Sequence, residues 1–164
     1  MKLQKIISGG QTGADQGGLE AALHLGIKTG GYAPDKYETE TGSNYQLKMK
    51  YKLIEAGSLV QRSKKNIDYS DGTVVFLLKE SPGTTCSLNY ALTKKWGMKP
   101  GNDKYKPVCV ISKFDQENIL KLQDFLKKNE IETLNIVGHR ESGFKGIQKN
   151  VRDFLIKTLV EYFI

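Results

Sequence analysis

Three times in this chain a short apolar run gives way to a loop of glycine and hydroxyl residues and then to a helical pattern. The first loop, S-G-G-Q-T-G-A-D from Ser8 to Asp15, follows the run Leu3 to Ile7. The second, P-G-T-T-C-S from Pro82 to Ser87, follows Thr73 to Leu78. The third, G-H-R-E-S from Gly138 to Ser142, follows Leu134 to Val137. Short apolar strands alternating with helices predict an α/β fold, a mainly parallel sheet with helices on both faces. In such a sheet, loops at the carboxyl ends of the strands border the ligand crevice. Each loop also enters a helix N-terminus, where unpaired N–H groups and the positive dipole end favour an anion. Phosphate is the ligand group this arrangement points to.

The remaining elements fill in around these loops. Further strands are expected at Lys28 to Ala33, Lys106 to Ser112 and Glu132 to Val137. Helices are expected at Asp15 to Leu25, Thr84 to Trp96, Asp115 to Lys128 and Phe144 to Phe163. The helix from Thr84 places Leu88, Ala91, Leu92 and Trp96 toward the core, with Gly97 and Pro100-Gly101 as its stop. Tyr45 to Ile54 reads as partly helical, Leu59 to Gln61 as a short edge strand, and Lys64 to Asp68 as one helical turn. Pro34 to Asn44 carries no periodicity. A loop of that length in a compact domain is functional or mobile, and Tyr37 is its apolar anchor.

Composition narrows the class. With 164 residues and no linker, repeat or low-complexity segment, residues 1–164 form one domain. No apolar run approaches the roughly 20 residues that cross a bilayer, and the N-terminus enters a strand pattern without a signal-peptide core. A soluble cytoplasmic protein without membrane contact is expected. The formal charge of +7 comes from 25 basic residues, of which only Arg62, Arg140 and Arg152 are arginine. The lysines are spread along the chain without interleaved aromatics, so the sequence disfavours a nucleic-acid face. Cys86 and Cys109 fit no metal-ligand spacing, and no metal site is expected. Cys109 reads as a buried strand residue.

The motifs supply candidate binding residues. Gly9, Gly10 and Gly13 let the first loop turn sharply and approach a ligand closely, while Gln11 and Thr12 offer polar groups. Asp15 either caps the following helix or accepts from a ribose or pterin donor. The loop lacks the G-K-[ST] of a Walker motif and is not the dinucleotide fingerprint. In the second loop Gly83, Thr84, Thr85 and Ser87 crowd one helix start with more hydroxyls than capping needs. In the third, Arg140 either forks onto a phosphate or pairs with Glu141, with Ser142 beside it. His139 is either a ligand-facing donor or an exposed loop residue. Arg62, Asn66, Ser70 and Asp71 precede the central strand; Asn66 and Asp71 bracket the site from the side, or Ser70-Asp71 is a plain turn. No Ser-His-Asp spacing or nucleophile elbow is present, so no catalytic residue is assigned.

At these residues the chain resembles the molybdenum carrier proteins, within the wider SLOG group of Rossmann-like nucleotide-binding domains. The likeness runs through S-G-G-Q-T-G-A-D, G-Y-A-P from Gly31, Tyr45, R-S-x-x-N-x-x-x-S-D-x-T from Arg62, P-G-T-T at Pro82 and L-N-I-V-G-H-R-E-S from Leu134. It implies a Rossmann-like fold, a dimer or tetramer of identical chains, and a carrier of molybdenum cofactor or a related phosphorylated pterin or nucleotide. His139 stands where that family usually has proline. The phosphoribohydrolase relatives carry P-G-G-x-G-T-x-x-E, and P-G-T-T-C-S-L-N lacks its glutamate. Binding is therefore expected over turnover. A nucleoside-monophosphate phosphoribohydrolase, or an accessory to DNA processing, are the alternatives the resemblance leaves open.

Overall fold

The main sheet has five parallel strands, and the last of them in sequence lies at its centre. A computed structural model describes residues 2–94 and 105–163. In chain order the elements are β1 (Lys5–Ser8), α1 (Ala14–His24), β2 (Lys28–Gly30), β3 (Tyr32–Ala33), a 3-10 turn (Asp35–Tyr37), β4 (Glu38–Thr39), β5 (Gly42–Ser43) and α2 (Gln46–Met49). They continue with β6 (Ile54–Glu55), α3 (Leu59–Tyr69), β7 (Gly72–Phe76), α4 (Pro82–Thr93), β8 (Val108–Ile111), α5 (Gln116–Lys128), β9 (Thr133–Gly138) and α6 (Ile147–Phe163). The sheet order is β2-β1-β9-β7-β8. β9 pairs with β1 on one side (Ile6 with Leu134) and with β7 on the other (Val74 with Ile136).

All five residues of β7 are buried, as a parallel strand covered on both faces requires. Val74 and Phe76 join the main core with Ile6, Leu134 and Ile136, under α1, α5 and α6. A smaller cluster of Ile67, Tyr90 and Ala91 lies between α3 and α4. Two glycines let α1 come close to its neighbours. A Cβ on Gly17 would stand 2.5 Å from the carbonyl oxygen of Gln148 in α6, and one on Gly18 would stand 2.8 Å from Ile136 of β9. Cys109 is buried in β8, which pushes its thiol up to about 11. No described helix is long and apolar enough to cross a membrane.

Several expectations need correction. Leu59 to Gln61 is not an edge strand but the first turn of an eleven-residue helix, α3. The reason is local: Ser58 and Gln61 form a reciprocal capping box, with Gln61 N–H donating to Ser58 Oγ (3.2 Å) and Ser58 N–H to Gln61 Oε1 (2.8 Å). The strand expected from Lys28 to Ala33 breaks at Gly31, whose φ of 120° sends the chain into a separate small sheet of β3 and β6. Pro34 to Asn44 is a folded excursion, a 3-10 turn followed by a β4–β5 hairpin. Tyr37 anchors it among Leu19, Ala33, Leu47, Tyr51 and Leu53. On α4 the buried residues are Thr84, Ser87, Asn89, Tyr90 and Ala91, with Leu88 and Leu92 only half-buried. Trp96, Gly97 and Pro100-Gly101 lie outside the described residues.

The Gly17 contact is backbone against backbone, so the two helices must part to admit a side chain. Gly17→Val should cost about 1–3 kcal/mol, seen as a lower urea midpoint with an unchanged slope. A midpoint equal to that of the parent protein would show that α1 and α6 have room to move.

Candidate functional site

The chain leaves β1 toward β2 on one side of the sheet and leaves β7 toward β8 on the other, and β9 lies between. Such a point of divergence opens a crevice at the carboxyl ends of the strands. A cleft of about 510 Å³ occupies it, with walls that include Gln11, Asp15, Arg62, Lys79, Gly83, Thr84, His139 and Arg140. A second hollow of about 330 Å³ adjoins it, sharing Gln11, Leu59 and Arg140 and bordered by Asp35, Glu38 and Glu40.

The first loop builds the cleft more than it lines it. Its N–H groups are consumed internally: Gly10 donates to Ser8 Oγ, Gln11 to Asp15 Oδ2, Thr12 to Gln11 Oε1, Gly13 to Gln148 Oε1 and Ala14 to the His139 carbonyl. The three glycines are steric necessities. A side chain on Gly9 would overlap the Arg62 guanidinium, one on Gly10 would press on Leu47 and Leu53, and one on Gly13 would overlap the His139 carbonyl. Gly10 thus faces the small core rather than the cleft. Asp15 does not cap α1, whose N-cap is Gly13 without a side-chain bond. Only Gln11 and Asp15 of this loop reach the cleft wall.

Asp15 instead meets Arg62 of α3, with Nη1 to Oδ2 at 3.4 Å and both side chains nearly buried. Burial holds the Asp15 carboxyl above the usual carboxylate range, and Arg62, followed by the Gln11 N–H, offsets only part of that rise. The pairing leaves the Arg62 guanidinium under-used: its Nε is buried without any hydrogen-bond partner. Arg140 repels Arg62 from across the cleft. Lys79 adds a third cation to the lining and Glu80 a carboxylate.

Facing these cations is the start of α4. Ser81 is the N-cap, but its hydroxyl donates to Thr84 Oγ1 (3.0 Å) and makes no bond to the helix backbone. Pro82 has no N–H, and those of Gly83 and Thr84 have no intrahelical partner. A Cβ on Gly83 would meet nothing within 4 Å, so the helix end is open. Thr84 and Ser87 line the cleft; Thr85 points to solvent.

The third loop divides its residues among three tasks. His139 is not an exposed loop residue, and it borders the cleft. It is buried against Phe144, and its Nε2 accepts from Leu78 N–H (2.9 Å) and Lys79 N–H (3.4 Å), tying the β7 loop to the β9 loop. Burial, and Lys79 after it, hold its pKa below the usual histidine range. The imidazole is therefore neutral, with its proton on Nδ1. Glu141 does not pair with Arg140; its carboxylate accepts from Gly146 N–H (2.6 Å) and Gln148 N–H (3.0 Å) at the entry to α6. Arg140 is exposed in the wall of both hollows, with no ion pair or hydrogen bond to its guanidinium among the described residues. Ser142 and Thr12 turn to Glu40 at the tip of the β4–β5 hairpin. Its carboxylate accepts from both hydroxyls and from Ser142 N–H (3.1 Å), and its own N–H donates to Gln11 Oε1 (2.9 Å). These donors, led by the Ser142 hydroxyl, hold Glu40 below the usual carboxylate range.

Three more expected residues also lie outside the cleft lining. Asn66 clasps the backbone of Tyr32, accepting from its N–H (2.8 Å) and donating to its carbonyl (2.9 Å). Ser70 donates to the Ile67 carbonyl, and Asp71 accepts from Glu132 and Thr133 N–H at the amino end of β7, the end of the sheet opposite the cleft. They precede β7, whereas the cleft lies beyond its carboxyl end. Glu40 was missed because a carboxylate in a polar loop carries no motif. Lys79 and Ser81, beside P-G-T-T, were legible from their place after β7. No group of His, Cys, Asp or Glu suited to a metal occurs among the described residues.

Comparison with known proteins agrees with this fold. A crystal structure of a protein from Syntrophus aciditrophicus SB, named Putative molybdenum carrier protein, superposes with a TM-score of 0.81 at 27% identity, over 96% of each chain. No curated protein matches. The model of the circularly permutated YpsA SLOG family matches residues 6–159, from β1 into α6. The match touches every strand of the main sheet and all three loops, and the chain belongs to that family.

Proposed function

We propose that this protein binds a small phosphorylated molecule in the cleft and serves as its carrier or sensor. The observation that carries this reading is the Arg62 guanidinium, buried in the cleft wall with its Nε unpartnered. A buried donor without a partner is costly, and a phosphate oxygen would satisfy it with a charge-assisted bond. The open first turn of α4 supplies N–H groups and a dipole end on the other side. Arg140, without a hydrogen bond or ion pair among the described residues and at the junction of the two hollows, would close on the same anion.

The body of the ligand would extend toward the second hollow, where the carboxylates of Asp35 and Glu38 offer acceptors to amino or hydroxyl groups. Molybdenum cofactor, a phosphorylated pterin, or a nucleotide has this form. The name of the Syntrophus protein supports the first. The residues here suit the phosphate end; Cys86 is absent from the cleft lining, so no thiol there meets a metal. Binding is favoured over turnover because the Asp15 and Glu40 carboxylates are already engaged by other groups.

Calorimetry with AMP and adenosine as probes tests the phosphate grip. AMP should bind and adenosine much more weakly. Arg140→Ala should weaken AMP about tenfold to a hundredfold, the equivalent of roughly 1.5–3 kcal/mol, while changing stability by less than about 0.5 kcal/mol. Arg62→Ala should lose about 3–5 kcal/mol of stability, because Asp15 is left buried without its partner. Equal affinity for AMP and adenosine in both the parent protein and Arg140→Ala would sink the proposal.

The hairpin that carries Glu40 would then act as a lid latched from within. Glu40→Ala should speed amide exchange at residues 38–43 without affecting β1, β7 or β9. Unchanged exchange in the hairpin would mean that Tyr37 alone holds it.

A further inference from the structure

Lysines that are scattered in sequence converge on one face of the fold. Lys5 of β1, Lys64 and Lys65 of α3, Lys94 just after α4 and Lys106 just before β8 each hold their ammonium over a tyrosine ring. Lys5 lies 5.2 Å from the Tyr69 ring centre and Lys65 lies 5.6 Å from Tyr32. Lys64 lies 5.6 Å from Tyr90, while Lys94 and Lys106 flank Tyr105 at 5.1 and 5.9 Å. The rings pair in turn, Tyr32 edge-on to Tyr69 and Tyr90 edge-on to Tyr105, with centres 6.1 and 6.3 Å apart. Of the six such cation–ring contacts among the described residues, only Lys50 on Tyr51 falls elsewhere.

Helix α3 joins the two halves into one strip. Lys65 and Tyr69 are four residues apart and share a side, and Lys64 and Asp68 share the neighbouring one. The Asp68 carboxylate accepts from the hydroxyls of Tyr90 (3.0 Å) and Tyr105 (2.9 Å), so it orients rings within the strip. The Tyr69 ring is half-exposed, at 52%, and Tyr32 and Tyr105 remain partly open to solvent.

We infer that this face binds single-stranded nucleic acid. The Lys106 ammonium is tied to the Asp68 and Ser70 carbonyls, and the other four ammonium groups match a run of phosphates. The tyrosines beside them give unpaired bases a surface to stack on, a combination that serves strands without regard to sequence. A duplex keeps its base faces buried and would meet only the charge. The face is formed by the outer side of α3 and its neighbours, and it is independent of the phosphate cleft.

Fluorescence anisotropy with labelled oligo-dT and oligo-U, on the full chain, tests it. Binding should appear at low salt, and its logarithm should fall linearly with the logarithm of salt concentration. The double variant Lys64→Ala/Lys65→Ala should lower that slope by about 1–2. Tyr69→Ala, at an exposed site the fold tolerates, should weaken binding roughly five- to a hundredfold. Lys127→Ala/Lys128→Ala on α5 removes the same charge from another surface and should change little. Absence of binding at low salt would overturn the inference. So would equal weakening by the two lysine pairs, no effect of Tyr69→Ala, or equal affinity for a duplex of the same length, each of which leaves charge alone at work.

Discussion

The cleft depends on the buried contact between Arg62 and Asp15. It joins α3 to the loop after β1, and it forms only because Gly9 leaves room for the guanidinium to pass. An ion pair this deep sacrifices hydration on both partners, and the remaining hydrogen-bonding capacity decides whether it holds. Asp15 recovers part of that loss from Gln11 N–H, while Arg62 keeps a donor unspent. The pair fixes the position of a cation in the cleft wall. The first loop accordingly spends its own N–H groups on holding Asp15, Gln11 and the start of α6 in place.

The central position of β9 brings the last motif of the chain against the first two. Its loop reaches back on both sides: the His139 carbonyl accepts from Ala14 at the start of α1, and the His139 ring receives Leu78 and Lys79 from the loop after β7. A proline here could make no such bridge, since it offers neither a ring acceptor nor the same packing against Phe144. Three loops that are distant in sequence thus share one rigid frame, which is the condition for an anion to be held by groups from each.

Glu40 belongs to the excursion between β3 and β6, and it occupies the hydroxyl groups of Thr12 and Ser142 that the motifs themselves offer. A carboxylate is the nearest thing the chain possesses to a phosphate oxygen. Its bonds across the rim close a hairpin of two-residue strands that would have little stability alone.

Local rules were enough for the parallel α/β plan, because each strand is a run of apolar residues with turn residues at its end, and each helix keeps an apolar side. They also placed Gly83, Thr84 and Arg140 at loops that do border the cleft. Where they failed, the deciding contact was distant or easily overlooked. The Ser58–Gln61 capping box turned an apparent strand into α3; Asn66 and Asp71 found backbone partners at Tyr32 and at Glu132 and Thr133. The lysines of the tyrosine strip are up to 101 positions apart, so no window along the chain could show them as neighbours. The sequence by itself determined which segments become strand, helix or glycine turn, since those follow from side-chain periodicity and backbone freedom. Only the tertiary structure decided which polar groups spend their hydrogen bonds within the protein and which leave them unspent, because that depends on what β9 and α3 bring within reach.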